Sequence, residues 1–140
     1  MTAPDTITTV HATTVAIGGR GVLIEGPSGS GKSDLALRLI DRGAMLVSDD
    51  RTLLAVTGKS VYASVPATIA GKIEVRGVGI VELPYAGSVP VALVVTLGDP
   101  ERLPEVTTRS IAGVAVAAAV IRPFEASAAI KVELALDRVA

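Results

Sequence analysis

The stretch Gly26-Pro27-Ser28-Gly29-Ser30-Gly31-Lys32-Ser33 decides how this chain is read. It matches the phosphate-binding pattern G-x-x-x-x-G-K-[ST] at every fixed position. The run before it, Gly21-Val22-Leu23-Ile24-Glu25, reads as a short buried strand, and residues 32–42 after it read as a helix. Strand, glycine-rich loop and helix, in that order, are the context the pattern requires. Glycines let the backbone curl around an anion and turn several N–H groups inward. The helix start adds unpaired N–H groups and the positive end of a dipole. Lys32 supplies a point charge for the outer phosphates, and Ser33 a hydroxyl for Mg²⁺. All of residues 26–33 are therefore expected to bind nucleotide.

Composition narrows the class. The 140 residues carry a net charge of −1 and 49% hydrophobic residues but only 2% aromatics, so Val, Ile, Leu and Ala must fill the core. That length suits one domain. The absence of cysteine excludes disulfides, thiol chemistry and iron–sulfur clusters. A single histidine, His11, argues against a zinc site of the His/Cys kind. Charges are scattered, with no basic patch to favour nucleic acid. The N-terminus carries Asp5 and no basic region before an apolar run, unlike a signal peptide. The longest apolar run, 114–121, is too short to span a bilayer. The expectation is a cytoplasmic protein with no nucleic-acid partner and no membrane insertion.

Along the chain, residues 1–6 are expected to form a flexible tail. Residues 7–17 read as one β-branched strand, with Gly18-Gly19 turning into the next. The helix over 32–42 places Leu35, Leu39 and Ile40 on its buried face and an Asp34–Arg38 i,i+4 pair outside, with Gly43 as its stop. Residues 44–48 read as a buried strand. Residues 51–56 and 60–65 form an expected hairpin around Thr57-Gly58-Lys59. A glycine-punctuated segment, 74–80, enters a strand over 80–83. Residues 89–97 are a near-continuous apolar strand, 99–108 a polar loop, and 111–121 a further strand. A last helix over 124–138 carries Ala129, Val132 and Leu136 along one stripe.

Three groups outside the loop carry possible chemistry. Asp49 and Asp50 follow a strand directly after the loop–helix unit, and sites in such sheets lie at the carboxyl ends of strands. A carboxylate there can hold Mg²⁺ or take a proton from a hydroxyl, although Asp-Asp also suits an ordinary turn. Glu74 and Arg76 flank Val75, so strand alternation puts both on one face. The Glu suits a metal and the Arg a phosphate, and the pair equally suits a surface salt bridge. His11 is the chain's one histidine, a side chain suited to proton transfer, in a position that also suits a structural histidine.

Together these residues resemble the HPr kinase/phosphorylase family, specifically its C-terminal catalytic domain in a short single-domain form. His11, the loop at 26–33, Asp49-Asp50 and the segment Glu74-Val75-Arg76-Gly77-Val78-Gly79-Ile80 carry the likeness, which runs from His11 to Arg122-Pro123. The resemblance implies an α/β fold: a P-loop-containing mixed-sheet domain over 7–140, also similar to the phosphoenolpyruvate carboxykinase nucleotide domain. It implies ATP- and Mg²⁺-dependent phosphorylation of a serine on the phosphocarrier HPr, with reverse phosphorolysis using phosphate and releasing pyrophosphate in some members. By the same resemblance, Lys32 binds phosphates, and Ser33 and Glu74 hold Mg²⁺. Asp50 accepts the serine proton, Asp49 supports it, and His11 is catalytic near the phosphates. Arg76, Gly77 and Gly79 belong to the signature segment, the glycines letting its backbone approach the site. It also implies a homo-oligomer, a hexamer built through the catalytic domain.

One departure from the family matters. After Arg-Pro the family continues Gly-Arg-Asn, whereas here Arg122-Pro123 is followed by Phe124-Glu125-Ala126-Ser127. The arginine that the resemblance implies is catalytic is missing, and Arg109 and Arg122 are the candidates to replace it. Two alternatives stay open beside the kinase reading: a nucleotide-sensing module without turnover, and a small-molecule kinase.

Overall fold

The computed structural model describes residues 6–139. The elements are β1 (Thr6–Val10), β2 (Ala12–Ile17), β3 (Arg20–Glu25), α1 (Lys32–Asp41), β4 (Met45–Ser48), β5 (Thr52–Thr57) and β6 (Ser60–Ser64). They continue as β7 (Lys72–Val75), β8 (Gly79–Glu82), β9 (Val89–Leu97), β10 (Thr107–Ile111), β11 (Val114–Ile121) and α2 (Ala128–Asp137). A small 3-10 turn, Ala67–Ile69, precedes β7.

Nine strands form a curled mixed sheet in which β9 is shared by two halves. The start of β9 pairs antiparallel with β6, through Tyr62 and Ala63 opposite Pro90 and Val89. Its remainder lies parallel to β3 on one side and to β11 on the other. β2 sits antiparallel between β3 and β4. β3, β4, β9 and β11 therefore all end at one edge of the sheet, and β2 begins there. β7 and β8 form a separate antiparallel hairpin.

The apolar runs of β3 and β9 follow from burial on both faces. Val22 and Ile24 of β3, with Leu93 and Val95 of β9, face α1 and α2 in one cluster with Leu35, Leu39, Val132 and Leu136. Leu23 and Val94 point the opposite way, into a second cluster with Leu54, Val56, Val61 and Ala63. The stripe read on the last helix is correct: Ala129, Val132 and Leu136 are all buried. Ile73 of β7 joins the helix-side cluster, which ties the hairpin to the rest of the core.

Several element boundaries differ from the sequence reading. The tail expected over 1–6 falls outside the described residues except for Thr6, which opens β1. The single strand expected over 7–17 is two strands, because the chain bends at His11: β1 leaves to pair with β5, while β2 enters the main sheet. The strand expected over 111–121 is a hairpin, β10–β11, turning at Ala112 (φ 48°) and Gly113 (φ 84°); two positive-φ residues are what a tight hairpin needs. The last helix starts at Ala128 rather than 124. Arg38 donates to the carbonyl oxygens of Pro123 and Glu125, which holds that stretch outside the helix. The reading of α1 is correct in its Asp34–Arg38 pair, 3.2 Å, and in its stop at Gly43 (φ 110°).

Among the described residues, no helix is long and apolar enough to cross a membrane. Leu39 is fully buried between the sheet and α2. We expect Leu39→Ala to cost about 2–5 kcal/mol of stability, as buried leucine truncations do, read from the shift of a denaturant-unfolding midpoint. A loss below about 1 kcal/mol would show that α1 does not seal this core.

Candidate active site

The loop leaves β3 at the sheet edge and wraps back into α1. Gly29 (φ 77°) and Gly31 (φ 101°) hold left-handed conformations that other residues rarely adopt. The Ser30 N–H donates to the Pro27 carbonyl (3.0 Å), and the Leu35 N–H to the Gly31 carbonyl (2.9 Å), closing the first helical turn. Lys32, only 6% exposed, lies back along the loop, its Nζ donating to the carbonyls of Gly26 (2.8 Å) and Pro27 (3.2 Å).

β4 delivers the two aspartates to the same edge with different surroundings. Asp49 is 7% exposed. Its Oδ1 accepts from Ser33 Oγ (2.5 Å) and Thr13 Oγ1 (3.1 Å), and its Oδ2 accepts from the Glu74 N–H (2.9 Å). Asp50 is exposed and has a positive φ of 66°, a strained conformation that aspartate tolerates better than most residues. His11 Nε2 lies 2.5 Å from Asp50 Oδ1, where the ring N–H donates to the carboxylate. The Asp50 N–H donates to Thr13 Oγ1 (3.1 Å). His11, just before β2, and Thr13, its second residue, therefore hold the acidic pair in place.

Ser28, Gly29, Gly31, Lys32, Ser33, Asp49, Asp50, Glu74 and Arg76 line one cleft of about 570 Å³. Several expected site residues lie elsewhere. Pro27 and Ser30 face a second cleft on the other side of the loop. Gly77 and Gly79 line neither cleft; Gly77 lies in the turn between β7 and β8 and Gly79 opens β8, with φ of 85° and 124°. Glu74 ends up on β7 and Arg76 in that turn, so they do not share a strand face as expected, yet both reach the cleft. Of the arginines considered as replacements, Arg109 pairs with Glu25 and Arg122 with Asp99, and neither lines the cleft with Lys32 and Asp50. The guanidinium that does is Arg76. Glu125 pairs with Lys131 (2.9 Å), whose ammonium holds its carboxyl below the ordinary value.

Hydroxyl and carboxylate oxygens, with no nitrogen or sulfur, suit a hard cation such as Mg²⁺. Among the described residues no three His, Cys, Asp or Glu side chains form a protein-only cage. Ser33 and Asp49, already in contact, fit a cation that keeps waters and phosphate oxygens in its shell. Sequence reasoning missed Thr13, which is fully buried and touches both aspartates. Its one available signal was a threonine two residues after His11, in a strand already rich in threonine. Phe124, which borders both clefts, was likewise overlooked as a site residue.

Thr13→Val keeps the side-chain shape and removes both hydrogen bonds. We expect a loss of about 1–3 kcal/mol, the cost of leaving buried polar groups unpaired, and a much smaller loss for Thr13→Ser. Equal losses in chemical denaturation would assign Thr13 a packing role only.

Residues 4–87 match the sequence profile described as HPr Serine kinase C-terminal domain. HPr kinase/phosphorylase of Mycoplasmopsis pulmonis is 42% identical over 74 residues, covering 53% of this chain and 24% of that protein. HPr kinase/phosphorylase of Clostridium tetani is 45% identical over 83 residues, covering 59% of this chain and 26% of that protein. The chain thus spans about a quarter of the length of these curated relatives. The solved structure of the Hpr(Ser) kinase/phosphatase from Coxiella burnetii superposes with a TM-score of 0.81 at 29% identity, covering 93% of this chain and 94% of that one. The sequence profile stops at residue 87, short of the Arg122-Pro123 limit expected, whereas the fold likeness covers 93% of the chain. With the profile spanning more than half of its length and the mixed α/β fold in agreement, the chain belongs to the HPr serine kinase C-terminal domain family.

Proposed function

We propose that this chain binds Mg·ATP and transfers the γ-phosphoryl group to a serine hydroxyl of an HPr-type phosphocarrier protein. One observation carries the reading: the Lys32 ammonium, the Ser33–Asp49 pair and the His11–Asp50 pair converge at the carboxyl edge of the sheet. The protein substrate is taken from the names of the relatives, HPr kinase/phosphorylase and Hpr(Ser) kinase/phosphatase.

The geometry supports the following roles. Loop N–H groups and Lys32 bind the phosphate chain, with Lys32 exchanging the Gly26 and Pro27 carbonyls for phosphate oxygens. Ser33, Asp49 and Glu74 would hold Mg²⁺, which would supply positive charge to offset that of the phosphates. His11 occupies Asp50 Oδ1 and leaves Oδ2 to accept the proton of the attacking serine. The serine oxygen forms its bond to phosphorus as the bond to ADP breaks, and Asp50 retains the proton. Arg76 contributes positive charge to the same cleft. In phosphorolysis a phosphate oxygen bonds to the phosphoserine phosphorus as the serine O–P bond breaks, Asp50 gives its proton to the departing serine oxygen, and pyrophosphate is the product. Positioning and electrostatics carry such a reaction, since phosphoryl transfer asks little covalent chemistry of the protein.

A second reading, a nucleotide-sensing module without turnover, is favoured by the stretch after Pro123. Phe124 and Glu125 stand where the family has glycine and arginine, and Glu125 is committed to Lys131.

The test is transfer of ³²P from γ-labelled ATP to HPr, beside an HPr whose target serine is alanine. We expect label on the first only, and Asp50→Asn to reduce the rate by about 10²-fold or more, in line with loss of a general base, while ATP affinity persists. ATP binding with no label on either protein would favour the sensing module. Full activity in Asp50→Asn would move the base elsewhere.

A further inference from the structure

Phe124 is the only phenylalanine in the chain, and its side chain is largely exposed, at 72%. Its backbone is nevertheless held. Arg38 of α1 donates to the carbonyls on either side of it, those of Pro123 and Glu125. The ring stands against the phosphate loop: a Cβ added to Gly31 would meet its Cε1 and Cζ at 3.0 Å. Phe124 thus forms a wall of the cleft that holds Lys32, Ser33 and Asp50, and a wall of a second one.

The second cleft, about 510 Å³, lies on the other flank of the loop. Its apolar lining comes from Pro27, Leu97, Pro123 and Phe124, with Asp99, Arg122 and Glu125 beside them. Leu97 and Ile121 end β9 and β11, the strands running parallel to β3, so the cleft lies outside the carboxyl ends of parallel strands. Ligands of open α/β sheets bind in that position. An apolar hollow with a few polar groups at its edge suits a flat, mostly apolar ring. The Ser30 hydroxyl adds a second, independent sign. Its Oγ is buried beside this cleft and, among the described residues, has no hydrogen-bond partner. Buried polar atoms are rarely left so.

We propose that this second cleft is the nucleoside subsite, with the base of a nucleoside triphosphate stacked on the Phe124 ring. The proposal rests on the phosphate-loop reading above and deepens it. A phosphate chain seated in the loop has its reacting end toward Asp50, and the nucleoside then leaves past Phe124 on the opposite flank. The aromatic at this position supplies base affinity, a use for a residue that stands where the family has glycine.

The test compares Mg·ATP with Mg·tripolyphosphate, which has the phosphates and no nucleoside, by titration calorimetry. Wild type should bind ATP the more tightly. Phe124→Ala should weaken ATP roughly 5- to 150-fold, the range of a lost base–aromatic stack, and leave tripolyphosphate unchanged. Phe124→Trp should keep ATP affinity. Because the chain has no tryptophan, its emission should respond to ATP and not to tripolyphosphate. Equal weakening of both ligands in Phe124→Ala would overturn the proposal and make the ring a prop for Gly31. So would a tryptophan signal indifferent to ATP, or equal wild-type affinity for the two ligands. Failure of wild type to bind either ligand would instead refute the phosphate-loop reading itself, and the subsite with it.

Discussion

The carboxylate of Asp49 is buried, and burying a charge is costly unless it is paired or fully hydrogen-bonded. Its hydrogen bonds come from three separate parts of the chain: Ser33 at the start of α1, Thr13 on β2, and the Glu74 backbone on β7. Each donor satisfies the charge, and each is thereby fixed relative to the others. The hairpin β7–β8 lies outside the main sheet and is joined to the core by Ile73 and to the site by this hydrogen bond. Without Asp49 the hydroxyl that would meet a metal, the strand that holds Asp50 and the segment that carries Glu74 and Arg76 have no common anchor.

The sheet makes this convergence possible. β3, β4, β9 and β11 end at one edge, and β2, antiparallel between β3 and β4, starts there with His11 just before it. The loop, the aspartates and the histidine come from sequence positions far apart and reach one place because parallel strands share a carboxyl edge. Burial of β3 and β9 on both faces fixes that edge against the two helices and the β5–β6 hairpin. Asp50 sits in a left-handed conformation on this rigid frame, kept there by the Thr13 hydroxyl and the His11 ring. Strained residues persist where the surroundings over-determine them, and they cluster at functional sites.

Much of this was legible in the sequence. The loop pattern is local, so its strand, turn and helix could be read from consecutive residues. Asp49 and Asp50 were legible because a strand end beside such a loop is a known place for acids. Thr13 was not, since its importance lies in reaching residues 36 and 37 positions away, and a threonine in a threonine-rich strand carries no mark. The bend at His11 was hidden because residues on both sides are β-branched, and propensity does not say which neighbour a strand pairs with. The β10–β11 turn hid behind Ala112, a residue seldom found at positive φ. Alternation put Glu74 and Arg76 on one face, and the turn at Arg76 broke that alternation while still bringing both to the cleft.

If Asp49 organises a metal–nucleotide site, its charge should matter to nucleotide binding only when the metal is present. The direct measurement is ATP affinity with and without Mg²⁺ in wild type and in Asp49→Asn, which keeps the side-chain shape and removes the charge. The account predicts that Mg²⁺ tightens ATP binding in wild type and that Asp49→Asn loses roughly 10- to 100-fold of that gain, with metal-free binding unchanged. A full Mg²⁺-dependent gain in Asp49→Asn would contradict it, and would leave the Asp49 hydrogen bonds as scaffolding alone.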